Sequence, residues 1–218
     1  VYLSMPLISG VVPDKLKTQT FKQLEKAILD THDGHINSGM LGTYYMFKLL
    51  ISHDRNDLIY QMLEKDTYPS YGYMIKKGST TIAEAWDMKG SQIHNCLLAV
   101  GSWFIQAPGG IQIDPTSPGY KHFIINPALN TELTQAMASY DSIRGKIKTS
   151  WKKQENKLAM KVSIPANTTA TIMLPADNIM IDSRPVNKTK SAKNTQNRKN
   201  QKSFILKSGD YEISAVLN

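Results

Sequence analysis

The densest run of side chains able to do chemistry lies between Tyr68 and His94. Tyr68-Pro69-Ser70-Tyr71-Gly72-Tyr73 sets three tyrosines around a proline and a glycine. Thr80-Thr81-Ile82-Ala83-Glu84-Ala85-Trp86-Asp87 follows, and Gly90-Ser91-Gln92-Ile93-His94 completes the run. Aromatic rings beside carboxylates suit a sugar: ring faces cover its apolar C–H faces, and carboxylates accept bonds from its hydroxyls. Glu84 stands between two alanines, where little obstructs its approach to a reacting atom. A glycosidase needs such a carboxylate as base or nucleophile. The same residues have a plainer reading, in which Glu84 is a solvated or capping carboxylate beside a core tryptophan.

Other chemistries find less support. The sequence holds no Gly-rich phosphate loop, no Gly-x-Ser-x-Gly elbow and no His-Glu-x-x-His helix. His32 and His35 flank Asp33-Gly34, a turn signal, so they need not share a helical face. Without a third ligand nearby they read as a loop that caps its neighbours rather than a metal site. The single cysteine, Cys96, excludes an intrachain disulfide and any multi-cysteine metal site. Its apolar neighbours, Leu97-Leu98-Ala99-Val100, make it a buried structural thiol rather than a nucleophile.

The elements that must position these residues fall into two regions of different period. From Lys15 to Gln106 the period is helical. Phe21, Leu24 and Ile28 form one stripe; Met40, Tyr44, Phe47 and Ile51 form a second, widened by Leu41, Tyr45 and Leu49. Leu58, Ile59, Met62 and Leu63 follow a polar start at Arg55-Asn56-Asp57, and Ile93, Leu97, Val100 and Phe104 follow Ser91 as N-cap. The second and fourth stripes are apolar around most of the helix and so call for neighbours on several sides.

After Pro108-Gly109-Gly110 the period becomes two. Leu158, Met160, Val162 and Ile164 alternate with Ala159, Lys161 and Ser163, and Ile147, Thr149 and Trp151 precede them across the polar turn Lys153-Gln154-Glu155-Asn156. Further strands are expected at Phe123–Asn126, Thr169–Leu174, Phe204–Lys207 and Tyr211–Leu217, which together indicate an antiparallel sandwich.

The 218 residues carry a formal charge of +8, and six cations between Lys188 and Lys202, with no acidic residue among them, supply most of it. That stretch holds no aromatic on which a base could stack, so it reads as a solvated loop between strands and not as a nucleic-acid site. No apolar run approaches the ~18–20 residues a membrane helix needs, so no membrane span is expected. The chain begins Val1-Tyr2-Leu3-Ser4-Met5-Pro6, without initiator Met or signal-type core, and reads as part of a longer protein.

Thr80-Thr81-Ile82-Ala83-Glu84-Ala85-Trp86 resembles the Thr-Thr-Ile/Leu-Trp-Glu-x-Trp motif of bacterial α-L-rhamnosidases, glycoside hydrolase family 78. His35-Ile36-Asn37-Ser38-Gly39-Met40-Leu41-Gly42-Thr43 is similar to the family's His-Leu-Asn-Thr-Gly-Ile-Leu-Gly-Thr, and the blocks at Arg55–Tyr60, Tyr68–Met74, Ser91–His94 and Val100–Phe104 follow in order. The blocks at Pro118–Pro127 and Ala138–Ser142 resemble the entry into the family's C-terminal sandwich.

The resemblance implies the C-terminal part of a catalytic (α/α)6 barrel over residues 1–110, followed by an antiparallel β-sandwich over residues 111–218. It implies an inverting hydrolase that removes terminal α-L-rhamnose from glycosides or polysaccharides, with no cofactor, because two carboxylates and a water suffice. Glu84 matches the general base, His94 and Trp86 match residues of the sugar site, and Tyr71 stands where the family has a tryptophan. The general acid and the rhamnose-binding Asp and Arg residues belong to an upstream stretch without counterpart here. The partners implied are therefore the upstream half of the same barrel and the rhamnoside; a periplasmic or secreted location follows only by analogy. Ala83 replaces the tryptophan before the base, and Ile93 the asparagine before the histidine. These departures keep open a catalytically inactive carbohydrate-binding relative, and a third reading takes the chain as an accessory half that joins a separately encoded barrel half.

Overall fold

The computed structural model describes residues 2–92, 97–189, 192–198 and 201–218, with the backbone alone for 193–198. It divides into a helical unit, residues 1–103 with 130–132, and a β unit, residues 104–129 with 133–218. Among the described residues no helix is long and apolar enough to cross a membrane.

The helical unit contains α1 (Ser4–Ser9), α2 (Asp14–Lys26, continued by one π turn over Ala27–Thr31), α3 (Met40–Ser52), α4 (Asn56–Glu64) and α5 (Tyr71–Lys76). Helix α6 (Ala99–Gln106) carries the chain out of it. The stripes read from the sequence lie on α2, α3, α4 and α6. Leu24 and Ile28 are buried, Phe21 stacks on His53 with ring centroids 4.2 Å apart, and Leu58, Ile59 and Met62 are buried on α4. Asn56, at the start of α4, is itself buried and accepts a hydrogen bond from Trp103 Nε1 at 3.2 Å.

Two stripes are rotated from expectation. On α3 the buried side is Met46, Phe47, Leu49 and Leu50, while Leu41 and Tyr44 are exposed. Near α6, Leu97 and Trp103 are buried and Phe104 is exposed. A helix apolar around most of its girth gives only a weak pattern to say which side faces inward, so tertiary neighbours choose. Ile93 and Cys96 lie outside the described residues, and the helix Ser91 was expected to cap is described only from Ala99.

The β unit comprises β1 (Ile111–Ile113), β2 (His122–Ile125), β3 (Gln135–Ser142), β4 (Gly145–Gln154), β5 (Lys157–Leu174), β6 (Ala176–Ile181), β7 (Arg184–Pro185), β8 (Lys193–Arg198) and β9 (Gln201–Leu217). Two long strands organise it. The second half of β5 lies between β2 and the first half of β9, which β8 flanks on its other side. The first half of β5 lies between β4 and the second half of β9, which β6 flanks in turn. The two layers of the sandwich are thus joined through bends in β5 and β9. At the bend Pro165–Thr168 stand opposite Ser208 alone, because the register passes from Ile164↔Gly209 to Thr169↔Lys207. Asn167 there has φ +59° and Gly209 φ +147°. Such a wide bulge turns a strand without ending it.

Three expectations are corrected here. The segments expected as four strands, 158–164 with 169–174 and 204–207 with 211–217, are two continuous ones, since the bulge keeps their ladders paired on either side. β2 pairs with β5 in parallel, the exception in an otherwise antiparallel arrangement. The basic stretch is no plain loop, because β8 lies within it and pairs with β9. Main-chain groups can complete a ladder whatever their side chains are, and Lys202 forms an ion pair with Asp177.

The alternation at Leu158, Met160, Val162 and Ile164 buries all four. They share one core with Trp151 and Ile213 from their own layer and with Phe123, Ile125, Ile172, Phe204 and Leu206 from the other. Trp151 Nε1 donates to the Pro108 carbonyl at 2.7 Å and Thr149 Oγ1 to that of Gly109 at 2.6 Å, so the buried polar atoms of β4 are satisfied by the Pro-Gly-Gly segment.

Candidate functional site

The site is built on α5 and on the irregular segment that follows it. Ser70, fully buried, caps α5 by accepting a hydrogen bond from the Tyr73 amide at 3.0 Å. Gly72 lets this short helix approach the chain before it: a Cβ at that position would stand 2.4 Å from the Lys65 carbonyl oxygen. The close approach seats Tyr71 inward. Its ring meets Trp86 edge to face, centroids 5.1 Å apart and planes at 81°, an arrangement favoured by the ring quadrupoles.

Both rings are nearly closed off from solvent, each 9% exposed. The Tyr71 hydroxyl donates to the Leu97 carbonyl, and Trp86 Nε1 donates to the Ser38 carbonyl at 2.7 Å. Burial pushes the Tyr71 phenol well above its ordinary range, so it stays a neutral donor. Neither residue has its proton donor turned toward a ligand, and a sugar could meet only the small exposed part of each ring.

Glu84 lies on residues 77–92, which follow α5 with neither helix nor strand, and is half-buried. Its backbone N–H donates to the Ser91 carbonyl at 2.9 Å, and its Oε2 accepts from the Ser91 N–H at 3.1 Å. Residues 84–91 therefore form a loop closed at its neck by one residue at each end. Within it the Lys89 amide donates to Asp87 Oδ1 at 3.1 Å, which draws the Asp87 carboxyl below its usual range. Ala83, before the loop, is completely buried.

The sequence reading brought Glu84, Trp86 and Tyr71 together, and all three belong to this one unit; His94 lies outside the described residues. It placed Gly90 and Ser91 in the same run but took Ser91 for a helix N-cap and gave Gly90 no part, and it did not join Ser38 to them. Ser38 was visible only within the His35–Thr43 block, where its hydroxyl pairs with Thr43 Oγ1 at 2.9 Å. His35, read as part of a capping loop, bonds the His32 carbonyl at 3.1 Å and Thr67 Oγ1 at 2.7 Å. Among the described residues no group of three or more His, Cys, Asp or Glu could hold a metal.

Residues 1–107 match the bacterial alpha-L-rhamnosidase 6 hairpin glycosidase domain, and residues 110–189 the bacterial alpha-L-rhamnosidase C-terminal domain. An alpha-L-rhamnosidase of Streptomyces avermitilis is 32% identical over 80% of this chain and 18% of its own length. One from Formosa agariphila is 31% identical over 98% of this chain and 24% of its own. Among solved structures, Streptomyces avermitilis α-L-rhamnosidase complexed with L-rhamnose superposes with a TM-score of 0.85 at 28% identity, covering 97% of this chain and 21% of that one. The α-L-rhamnosidase of Dictyoglumus thermophilum gives 0.84 at 26% identity, covering 98% and 25%. The chain thus spans about a fifth to a quarter of the length of the relatives it matches.

Proposed function

The chain belongs to the bacterial α-L-rhamnosidase family, and from that premise we propose that it contributes the general base, Glu84, to an inverting hydrolysis of terminal α-L-rhamnosides. In that reaction the Glu84 carboxylate takes a proton from a water as its oxygen attacks the anomeric carbon. The bond to the leaving oxygen breaks, and a carboxylic acid on the opposite side of the sugar protonates it. That acid belongs to a part of the protein outside this chain, about 6.5–9.5 Å from the base so that the water fits between them.

The single observation that carries the reading is the setting of Glu84: a half-buried carboxylate, oriented by the Ser91 N–H, on a loop anchored through buried Trp86. Trp86 and Tyr71 then serve as the floor beneath the loop, a role their burial favours over stacking on the sugar. The rhamnose bound in the Streptomyces relative supports a rhamnoside as ligand. Exposed Leu41, Tyr44 and Ile75 in the helical unit support the upstream half of the barrel as partner.

The test is release of p-nitrophenol from its α-L-rhamnoside by the full-length parent protein. Glu84→Gln should lower kcat by about 10²–10⁴-fold with KM little changed, and this chain alone should be inactive. A Glu84→Gln parent as active as wild type would overturn the assignment. A second reading, a sugar-binding relative without turnover, rests on Ala83, which stands fully buried where the family motif has tryptophan. Saturable rhamnose binding by a folded but inactive parent would favour it.

A further inference from the structure

We propose that Gly90 is a positioning residue for Glu84, its missing side chain being the space in which the carboxylate lies. The inference rests on the assignment of Glu84 as base. Gly90 stands at φ +81°, and a Cβ built on it would lie 2.8 Å from Glu84 Oε2 and 3.5 Å from Glu84 Cδ. Contacts below 3.0 Å are not tolerated, so something must move. Glu84 and Ser91 are held backbone to backbone at 2.9 Å, and Trp86 is tied to Ser38 at 2.7 Å. The easiest motion left is rotation of the carboxylate itself. A methyl group at Gly90 would therefore act on the reacting group and would pull Oε2 from the Ser91 N–H that orients it at 3.1 Å. A base displaced by about an ångström loses on the order of 10²-fold in rate.

The chain carries its own control. Gly78, at the other end of the same segment, has the same φ of +81°, yet a Cβ there meets nothing within 4 Å. Alanine at either position bears the same left-handed backbone strain, but only at Gly90 does it touch Glu84.

The experiment compares Gly90→Ala, Gly78→Ala and Glu84→Gln in the full-length parent, with p-nitrophenyl α-L-rhamnoside as substrate and L-rhamnose as competitive inhibitor. Gly90→Ala should lower kcat about 100-fold while KM and the rhamnose inhibition constant stay within about threefold, the signature of an interaction made only in the transition state. Gly78→Ala should leave kcat within about threefold. Repeating Gly90→Ala in a Glu84→Asp background, where the carboxylate is one methylene shorter, should cost less than about threefold further. If Gly90→Ala is poorly stable, the thermal midpoint reads the same clash: Gly90→Ala should depress it more than Gly78→Ala, and equally in the Glu84→Asp background. Equal losses for the two alanine variants, or a Gly90→Ala loss undiminished by Glu84→Asp, would overturn the inference and leave Glu84 as base. An active Glu84→Gln parent would remove both.

Discussion

In the β unit Leu158, Met160, Val162 and Ile164 find Phe204 and Leu206 across the sandwich, and β5 and β9 run through both layers. In the helical unit Leu41, Tyr44 and Ile75 stay exposed on helices no less apolar than those strands. The difference is one of topology. A strand that bends supplies both layers of its own core within a few tens of residues. A helix of a closed ring needs neighbours that its own stretch of chain need not provide. The candidate site belongs to the second kind of unit, the one that leaves large apolar side chains exposed on its helices.

The largest effect should come from opening the closed core. Phe204→Ala, at a side chain 1% exposed, should destabilise the β unit by about 3–5 kcal/mol, read from the denaturant midpoint of its tryptophan fluorescence with Trp151 as reporter. A smaller effect tests how that core meets its edge. The Tyr120 phenol is pushed up to about 12, first by burial and then by Tyr140, whose ring centroid is 4.8 Å away. The fold therefore favours the neutral phenol. That stabilisation is fully present below pH about 10, the value in the unfolded chain, and is lost as pH rises toward 12. Tyr120→Phe should flatten the alkaline fall in stability over that window, measured by denaturation at fixed pH steps. The smallest effect in this chain should be that of Leu41→Gln, 68% exposed: a change within about 0.5 kcal/mol and less binding of a hydrophobic dye. In the full-length parent the same substitution should be clearly destabilising, if the upstream half of the barrel covers that side. Equal neutrality in both would break the comparison.

Much of the fold could be read before the structure was known. The stripes of α2 and α4 and the alternation of β5 carry their own inward faces, since each mixes polar and apolar positions at the period of its element. The faces of α3 and α6 were hard to read, because polar positions are few: on α3 Lys48 alone marks the exposed side that Leu41 and Tyr44 share. Pro165, Asn167 and Gly209 signal turns in any local reading, yet they sit in bulges of paired strands. Whether a break in periodicity ends a strand or bends it depends on what pairs on each side. In the site, the residue types around Glu84 and the motif containing it were visible at once. The clasp by Ser91, the space left by Gly90 and the tie from Trp86 to Ser38, 48 residues away, were not.

By itself the sequence determined the change of period near Pro108 and the family, because those depend on side-chain identity and spacing along the chain. The tertiary structure alone decided which side of a mostly apolar helix is buried, that β5 and β9 each serve two layers, and that Tyr71 and Trp86 face inward. It also decided which backbone donor orients Glu84. The physical reason is the same in each case: burial and main-chain hydrogen bonding are settled by neighbours distant in sequence, and periodicity reports only on neighbours one or two turns away.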